Sequence, residues 1–242
     1  MAPQWGGMSD QTGQRSLAAA GLLLALLLGC GQAPPTSAPP PTPLPTEAAQ
    51  VLLLPTPLAE GSLSLEEALA QRRSVRQFSA QPLTLAEIGQ LFWAAQGVTR
   101  PWGGRTAPSA GALYPLEIYA ATAEGLYHYL PASHRAELVQ EEDQREALWA
   151  AGLRQEPLRQ APVIFVITAV SERTAAKYGS RAERYVKIEV GHAAQNLLLQ
   201  AVSSGLGAVP IGAFDDVAVA TALHLPAGEE PLYLIPVGHP EE

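Results

Sequence analysis

Hydrophobic and polar positions divide the chain into an apolar start, a proline-rich stretch and a long region of regular periodicity. Residues 17–29 form a Leu-rich apolar run that ends at Cys30. The run is too short to cross a bilayer as a helix and has the length of a signal-peptide h-region. Residues 31–57 are rich in Pro, Thr and Ala. Without apolar periodicity such a stretch favours polyproline II and acts as a semi-rigid tether. Val51-Leu52-Leu53-Leu54 interrupts it, as a short strand or an arm that packs on the domain.

Periodicity begins near Ser62. Ser64 and Glu67 form an S-x-x-E capping box, followed by Leu65, Ala68 and Leu69 at helical spacing. Thr84 and Glu87 repeat the signal, with Leu85, Ile88, Leu91, Phe92 and Ala95 as the apolar face and Gly97 as the stop. The pattern then predicts a hairpin of strands over 116–122 and 125–130 and a helix over 143–153. Residues 162–170 (PVIFVITAV) are apolar on both faces, which marks a central strand. A long helix over 183–204, a strand over 208–211, a helix over 217–223 and a central strand over 232–237 complete the pattern. Helices and strands intermix without a regular βαβ repeat, which argues for an α+β fold with a mixed sheet covered by helices. The long helix carries Val190, Ala193, Ala194, Leu197, Leu198, Leu199, Ala201 and Val202, well beyond one face. It needs partners on both sides, in a core or at an interface.

With 242 residues the chain has room for one domain of ordinary size plus non-domain sequence. A hydrophobic share of 47% against 16% charged supports a sizeable core and excludes global disorder. The net charge of −8 argues against a nucleic-acid binder, which needs a basic stripe. The single Cys excludes an intramolecular disulfide and a Cys-rich metal site. Because Cys30 is unique and follows Leu27-Leu28-Gly29, it resembles the acylated cysteine of a bacterial lipobox rather than a buried thiol. The expected organisation is a lipoprotein signal peptide at 1–29, a Pro-rich tether at 30–61 and the folded domain at 62–242. The chain would then be exported and held in the bacterial cell envelope, on the lipid bilayer, by acylated Cys30.

Three strings attract attention as chemistry. Arg72-Arg73-Ser74-Val75-Arg76 places three guanidiniums and a hydroxyl within five residues of an acidic chain. Forked donors of this kind match a phosphate or a conjugated carbonyl edge, although arginines also complement the dipole of a helix's last turn. Residues 108–115 (PSAGALYP) form a small-residue loop through which a backbone can approach a flat ligand, with Ser109 as a donor. Residues 208–215 (AVPIGAFD) open from a strand end into a loop with free N–H groups; for both loops a plain turn is the alternative. Glu189 and His192 lie at i and i+3 on the long helix, but without a third ligand they read as a structural pair rather than a metal site.

Together and in this order, the three strings resemble the flavin-binding segments of the nitroreductase family. Residues 189–197 (EVGHAAQNL) are similar to that family's central helix. Lys177-Tyr178-Gly179 with Arg184-Tyr185 resembles the SagB-type dehydrogenase branch, whose members oxidise azolines. The resemblance covers roughly residues 64–240. It implies an α+β homodimer with FMN in a cleft at the subunit interface. By the resemblance, Arg72, Ser74 and Arg76 match positions that hold the FMN phosphate and the pyrimidine edge, and Arg73 a neighbouring contact. Ser109 and Ala110 match a loop lent by the other subunit. Pro210 and Ile211 lead to Gly212, whose N–H matches the donor facing flavin N5, with Ala213 beside it. Lys177 and Tyr178 match a catalytic pair proposed to handle the proton.

Some positions depart from the family pattern. His239 stands where many members carry a phosphate-gripping Lys or Arg, Ala112 where many have Asn, and Tyr114 where they have Gln. The expected activity is FMN-dependent passage of hydride between flavin and a small-molecule or peptide-heterocycle substrate. The alternatives are an NAD(P)H-dependent nitro or quinone reductase and a non-catalytic flavin-binding surface lipoprotein. No metal is expected.

Overall fold

The computed structural model of the protein describes residues 50–241. The apolar run, Cys30 and the tether up to residue 49 lie outside the described residues. Among the described residues seven strands form one sheet: β1 (Val51–Leu53), β2 (Leu116–Thr122), β3 (Gly125–Leu130), β4 (Arg135–Gln140), β5 (Val163–Ala169), β6 (Gly207–Ala208) and β7 (Glu230–Gly238). Their order is β1-β4-β3-β2-β5-β7-β6, and every neighbouring pair is antiparallel. A parallel bridge between Ser74 and Ala208 makes the sheet mixed at its β6 edge.

The helices are α1 (Leu65–Gln71), α2 (Leu85–Gln96), α3 (Arg145–Ala151), α4 (Glu156–Gln160), α5 (Glu172–Tyr178), α6 (Ala182–Ser203) and α7 (Asp216–Ala222). Both capping boxes form as expected. The Glu67 N–H donates to Ser64 Oγ at 3.1 Å and the Glu87 N–H to Thr84 Oγ1 at 3.2 Å, while each glutamate accepts from the cap backbone. Removing such a cap costs about 1 kcal/mol.

β5 is buried along its whole length because the sheet is covered on both faces. Phe165 and Ile167 enter a core with Phe92, Leu116, Leu197 and Ile235 under α2 and α6. Ile164 and Val166 enter a second core with Leu148, Leu158, Val219 and Leu234 under α3, α4 and α7. This is the period-2 alternation of a strand with apolar residues on both sides. Phe92 stacks on Tyr129 at 4.9 Å and meets Phe165 edge-on at 5.2 Å, joining α2 to the sheet centre.

The structure differs from the sequence expectation in four places. Residues 51–58 already pack on the domain upstream of the boundary expected at 61/62, in line with the short strand or arm read within 51–54. β1 pairs with β4, Leu54 is buried, and the Gln90 side chain both accepts from Leu58 N–H and donates to its carbonyl. The strand expected over 208–211 stops at Ala208, with Ile211 only bridging Leu234, because Pro210 has no N–H for a ladder. The α3 helix starts two residues late, since the Asp143 carboxylate accepts from the Arg145 N–H and pairs with its guanidinium. β4, α4 and α5 carry little apolar periodicity and went unpredicted; α5 buries only Thr174.

Candidate functional site

The arginine string leaves α1 as an extended strap. Arg72 caps the helix, and Val75 N–H then donates to Ala208 O at 3.0 Å beside the Ser74–Ala208 bridge. Gly207 permits this contact: a Cβ there would stand 2.6 Å from Val75 Cγ1. The strap therefore lies directly beside β6, whose continuation is Val209, Pro210, Ile211, Gly212 and Ala213. Two strings that are remote in sequence become neighbours through one backbone contact.

A cavity of about 560 Å³ opens next to the strap, lined among others by Arg73, Ser74, Arg76, Gln160 and Glu241. Arg73 and Arg76 are exposed and Arg72 is half-buried. Among the described residues none of the three has an ion-pair partner, so their forks are free for an anion. Ile211 is buried by exchange of hydrogen bonds with Leu234, whereas Gly212 and Ala213 are exposed. The Ala213 carbonyl accepts from Gln155 Nε2 at 2.9 Å, which holds the loop, while among the described residues the Gly212 N–H has no partner.

The loop at 108–115 is built elsewhere. Gly111, Ala112 and Tyr114 all have positive φ (64°, 55° and 47°), a conformation that costs a non-glycine residue about 1 kcal/mol or more. Several contacts keep it there. Tyr114 N–H donates to Ser109 Oγ at 2.9 Å, the Arg105 guanidinium lies 4.3 Å over the Tyr114 ring, and Arg173 donates to the Tyr114 carbonyl at 3.2 Å. Behind it, Arg105 donates to buried Gln96 at 2.9 Å. Glu117 receives both His128 (2.8 Å) and Arg173 (2.5 Å). Burial pushes the Glu117 carboxyl up, but the His128 and Arg173 hydrogen bonds outweigh it and hold it below the ordinary carboxylate range.

Lys177 and Tyr178 end α5 against this loop, so close to Gly111 that its missing side chain makes the contact possible. Tyr178 is half-buried and meets Tyr185 edge-on at 4.9 Å; Lys177 is exposed, with Nζ 5.5 Å from the Tyr178 ring centroid. The sequence-predicted residues thus fall into two groups: the strap with Pro210, Ile211, Gly212 and Ala213, and the Ser109–Ala110 segment with Lys177 and Tyr178. Within one chain, no residue of the 108–115 loop lines the arginine cavity.

His239 joins neither group. Its ring faces Glu87 at 3.8 Å, and it is not among the residues lining the arginine cavity. Glu189 and His192 do not form the expected pair: His192 is exposed, while Glu189 is buried toward Ser109 and Ala110. Arg105 and the Glu117–His128–Arg173 cluster were missed by sequence reasoning, which singled out Glu189 only as a partner for His192. A buried acid on an otherwise apolar helix face was the one available signal, and it marked Glu189. Among the described residues no cluster of three metal-ligating side chains occurs and no helix is long and apolar enough to cross a membrane.

Known proteins resemble the chain in sequence and in fold. The profile described as "Nitroreductase family" matches residues 69–239. A protein of Methanocaldococcus jannaschii that bears a nitroreductase name is 44% identical over 182 residues, 73% of this chain and 91% of that protein. A crystal structure from Ralstonia eutropha, also bearing a nitroreductase name, superposes with a TM-score of 0.71 at 32% identity, over 79% of this chain and 90% of the other. The E. coli microcin synthetase McbBCD, with truncated pro-MccB17 bound, contains a chain similar at a TM-score of 0.65 and 25% identity, over 81% and 80% of the two chains.

Proposed function

The chain belongs to the nitroreductase family of oxidoreductases, and from that premise we propose that it is an FMN-dependent enzyme of the SagB-like branch, passing hydride between flavin and a small molecule or a heterocycle-bearing peptide. The observation that carries the reading is the Ser74–Ala208 bridge, which brings the arginine strap to the strand end that leads, four residues on, to the exposed Gly212. These residues fit the group. Arg72, Ser74 and Arg76 would hold a phosphate and a ring edge through forked, charge-assisted donors, with Arg73 alongside. Pro210 and Ile211 fix the loop that would offer Gly212 and Ala213 to a flat heteroaromatic ring. FMN, when bound, supplies the two-electron chemistry, and the protein supplies binding, orientation and a hydrogen-bond donor.

The remaining parts follow from the loop. Ser109 and Ala110 would complete the site of a second subunit, because within one chain they stand apart from the arginine cavity. Lys177 and Tyr178 would handle a substrate proton from the far side of that loop. The similarity to the microcin synthetase with a bound peptide supports a peptide substrate. The exposure of Lys177 favours a second reading, an NAD(P)H-dependent nitro or quinone reductase, since a lysine acting as base needs burial that its own chain does not supply. His239, turned toward Glu87, leaves the phosphate to the arginines. In the same proposal Cys30 is acylated and tethers the domain to the bacterial envelope.

The test is chemical identification of the cofactor. The purified protein is expected to be yellow and to release FMN on denaturation, separated by reverse-phase chromatography. Bleaching by NAD(P)H would select the reductase reading, and bleaching only by azoline peptides the SagB-like one. A colourless protein that does not take up added FMN would refute both.

A further inference from the structure

Arg173 lies on α5 four residues before Lys177, so the two share a face one helical turn apart. Its guanidinium is the meeting point of α5, the loop and the sheet. One nitrogen donates to the Tyr114 carbonyl at 3.2 Å, and the other pairs with Glu117 Oε1 of β2 at 2.5 Å. The second oxygen of Glu117 accepts from His128 Nε2 of β3 at 2.8 Å, and the His128 ring stacks on Tyr119 at 4.7 Å. The carboxylate is therefore fixed in the sheet before Arg173 reaches it. An ion pair between two freely moving surface chains contributes little, but the Glu117 side chain is only 15% exposed and already oriented.

Both partners of this arginine need support. α5 has seven residues, buries only Thr174 and has no side-chain cap at its N-terminus; a helix that short is not stable by itself. Tyr114 holds a φ of 47°, which is unfavourable for a bulky side chain. Its N–H donates to Ser109 Oγ, its hydroxyl accepts from the Arg105 N–H, and its ring lies under the Arg105 guanidinium. Those contacts all come from within the 105–114 segment. Among the described residues, the bond from Arg173 is the only hydrogen bond of Tyr114 that arrives from another element. Gly111, in the same loop, meets the Lys177 and Tyr178 side chains. α5 and the loop thus touch at a polar point, Tyr114, and at a steric point, Gly111.

We propose that Arg173 is a positioning residue: its fork fastens α5 to Glu117 and the loop to α5, and so fixes where Lys177 and Tyr178 stand against Gly111. Its bearing on catalysis rests on reading those two residues and the loop as parts of the flavin site. Lysine cannot replace it. An ammonium keeps the charge for Glu117 but lacks the planar fork that serves two acceptors at once. Glu117 also offsets the repulsion between Arg173 and Lys177, two like charges at i and i+4.

The experiment is amide hydrogen exchange on the full chain for wild type, R173A and R173K. FMN binding is measured separately by fluorescence titration, and turnover with the electron donor that bleaches the flavin. R173A is expected to lose protection about tenfold, the scale of one charge-assisted hydrogen bond, over both 109–114 and 172–178, while β5 and α6 keep theirs. R173K should recover 172–178 through Glu117 and leave 109–114 unprotected. In the FMN-loaded protein kcat should fall about tenfold in both variants with KM nearly unchanged, the split expected when a proton-handling pair is displaced and substrate binding is not. R173K carries the test alone if R173A does not fold. Loop protection that is unchanged in R173A, or fully restored by lysine, overturns the proposal. A loosened loop with unchanged kcat would make Arg173 merely structural and overturns it as well. The expected exchange pattern together with no FMN binding in wild type would sustain the positioning role and refute the flavin reading; normal FMN binding with wild-type loop protection in R173K would do the reverse.

Discussion

Gly111 and Tyr178 touch without a side chain between them: a Cβ built on Gly111 would stand 2.9 Å from the Tyr178 hydroxyl and 3.0 Å from Lys177 Nζ. The contact joins the loop after α2 to the end of α5, two segments that sequence pattern alone would not pair. Gly111 also has φ +64°, so a substitution meets a steric and a conformational obstacle together. The atoms it would strike are the far ends of flexible side chains, so the lysine and tyrosine yield first. Gly111→Ala is therefore expected to lower stability by about 1 kcal/mol and turnover by roughly tenfold, a loss of about 1.4 kcal/mol in transition-state stabilisation. Thermal melting and steady-state kinetics on the same preparation separate the two effects.

Arg72 and Arg76 are free of ion pairs among the described residues, so their removal should not disturb folding. Arg72→Ala combined with Arg76→Ala is expected to give a folded, colourless protein, with FMN affinity reduced at least a hundredfold. Circular dichroism reports the fold and flavin absorbance the occupancy. Full flavin content in the double variant would reject the phosphate assignment.

Buried Glu189 makes the domain's stability depend on pH with a definite sign. Its folded value, about 7, lies above the ordinary 4.5, so the folded state binds the proton more tightly. Its contribution is therefore full below about pH 4.5 and is lost as pH rises through 7. Between pH 5 and 8 wild type should lose stability relative to E189Q by on the order of 1–3 kcal/mol, given 1.36 kcal/mol per unit. Urea unfolding of both proteins at the two pH values checks this. A difference of opposite sign would mean that the carboxylate, not the acid, is the favoured buried form.

Leu65 and Leu69 lie one turn apart on α1 and are 61% and 53% exposed. Beside them a groove of about 280 Å³ runs between α1 and α6, lined in part by Ala68, Asn196 and Leu199. The shared-site reading requires a second subunit, and this apolar strip is where we expect it. The fragment from Gln50 onward should scatter light as a dimer, and Leu65→Glu with Leu69→Glu should shift it to monomer. Covering a leucine contributes about 1.5–3 kcal/mol, so the dimer dissociation constant should rise well over tenfold. A wild-type monomer that binds FMN tightly would rule out the shared site.

The anchor proposal is tested in cells. Wild type should fractionate with the membrane and begin at residue 30, whereas Cys30→Ser should leave the membrane or remain unprocessed. Identical fractionation and an identical N-terminus in the variant would remove the lipid anchor from the account.

How much was legible beforehand differs from element to element. The central strand β5 was readable because its continuous apolar run has one interpretation at that length: burial on both faces. The arginine strap, the small-residue loop and residues 210–213 stood out as strings, but their grouping did not. The short strand within residues 51–54 was legible as an interruption of the proline-rich stretch, but its pairing with β4 was not. α5 was missed because a seven-residue helix that buries one threonine leaves no stripe to read. His239 was assigned by its position near the end of the chain, whereas its ring direction is set by packing against α2, beside Glu87.

The sequence by itself determined the features that reside within a few residues: the two capping boxes, the stop at Gly97, the strands with a clear apolar pattern and the α+β class. Each depends on contacts at i to i+4 or on alternation along one segment, and these survive in a linear reading. Only the tertiary structure decided that Ser74 lies beside Ala208, that Gly111 seats Lys177 and Tyr178, and that Glu189 is buried behind a strained loop rather than paired with His192. Such contacts join segments far apart in the chain. Their partners are selected by sheet order and by the space left between packed elements, quantities that no local window contains.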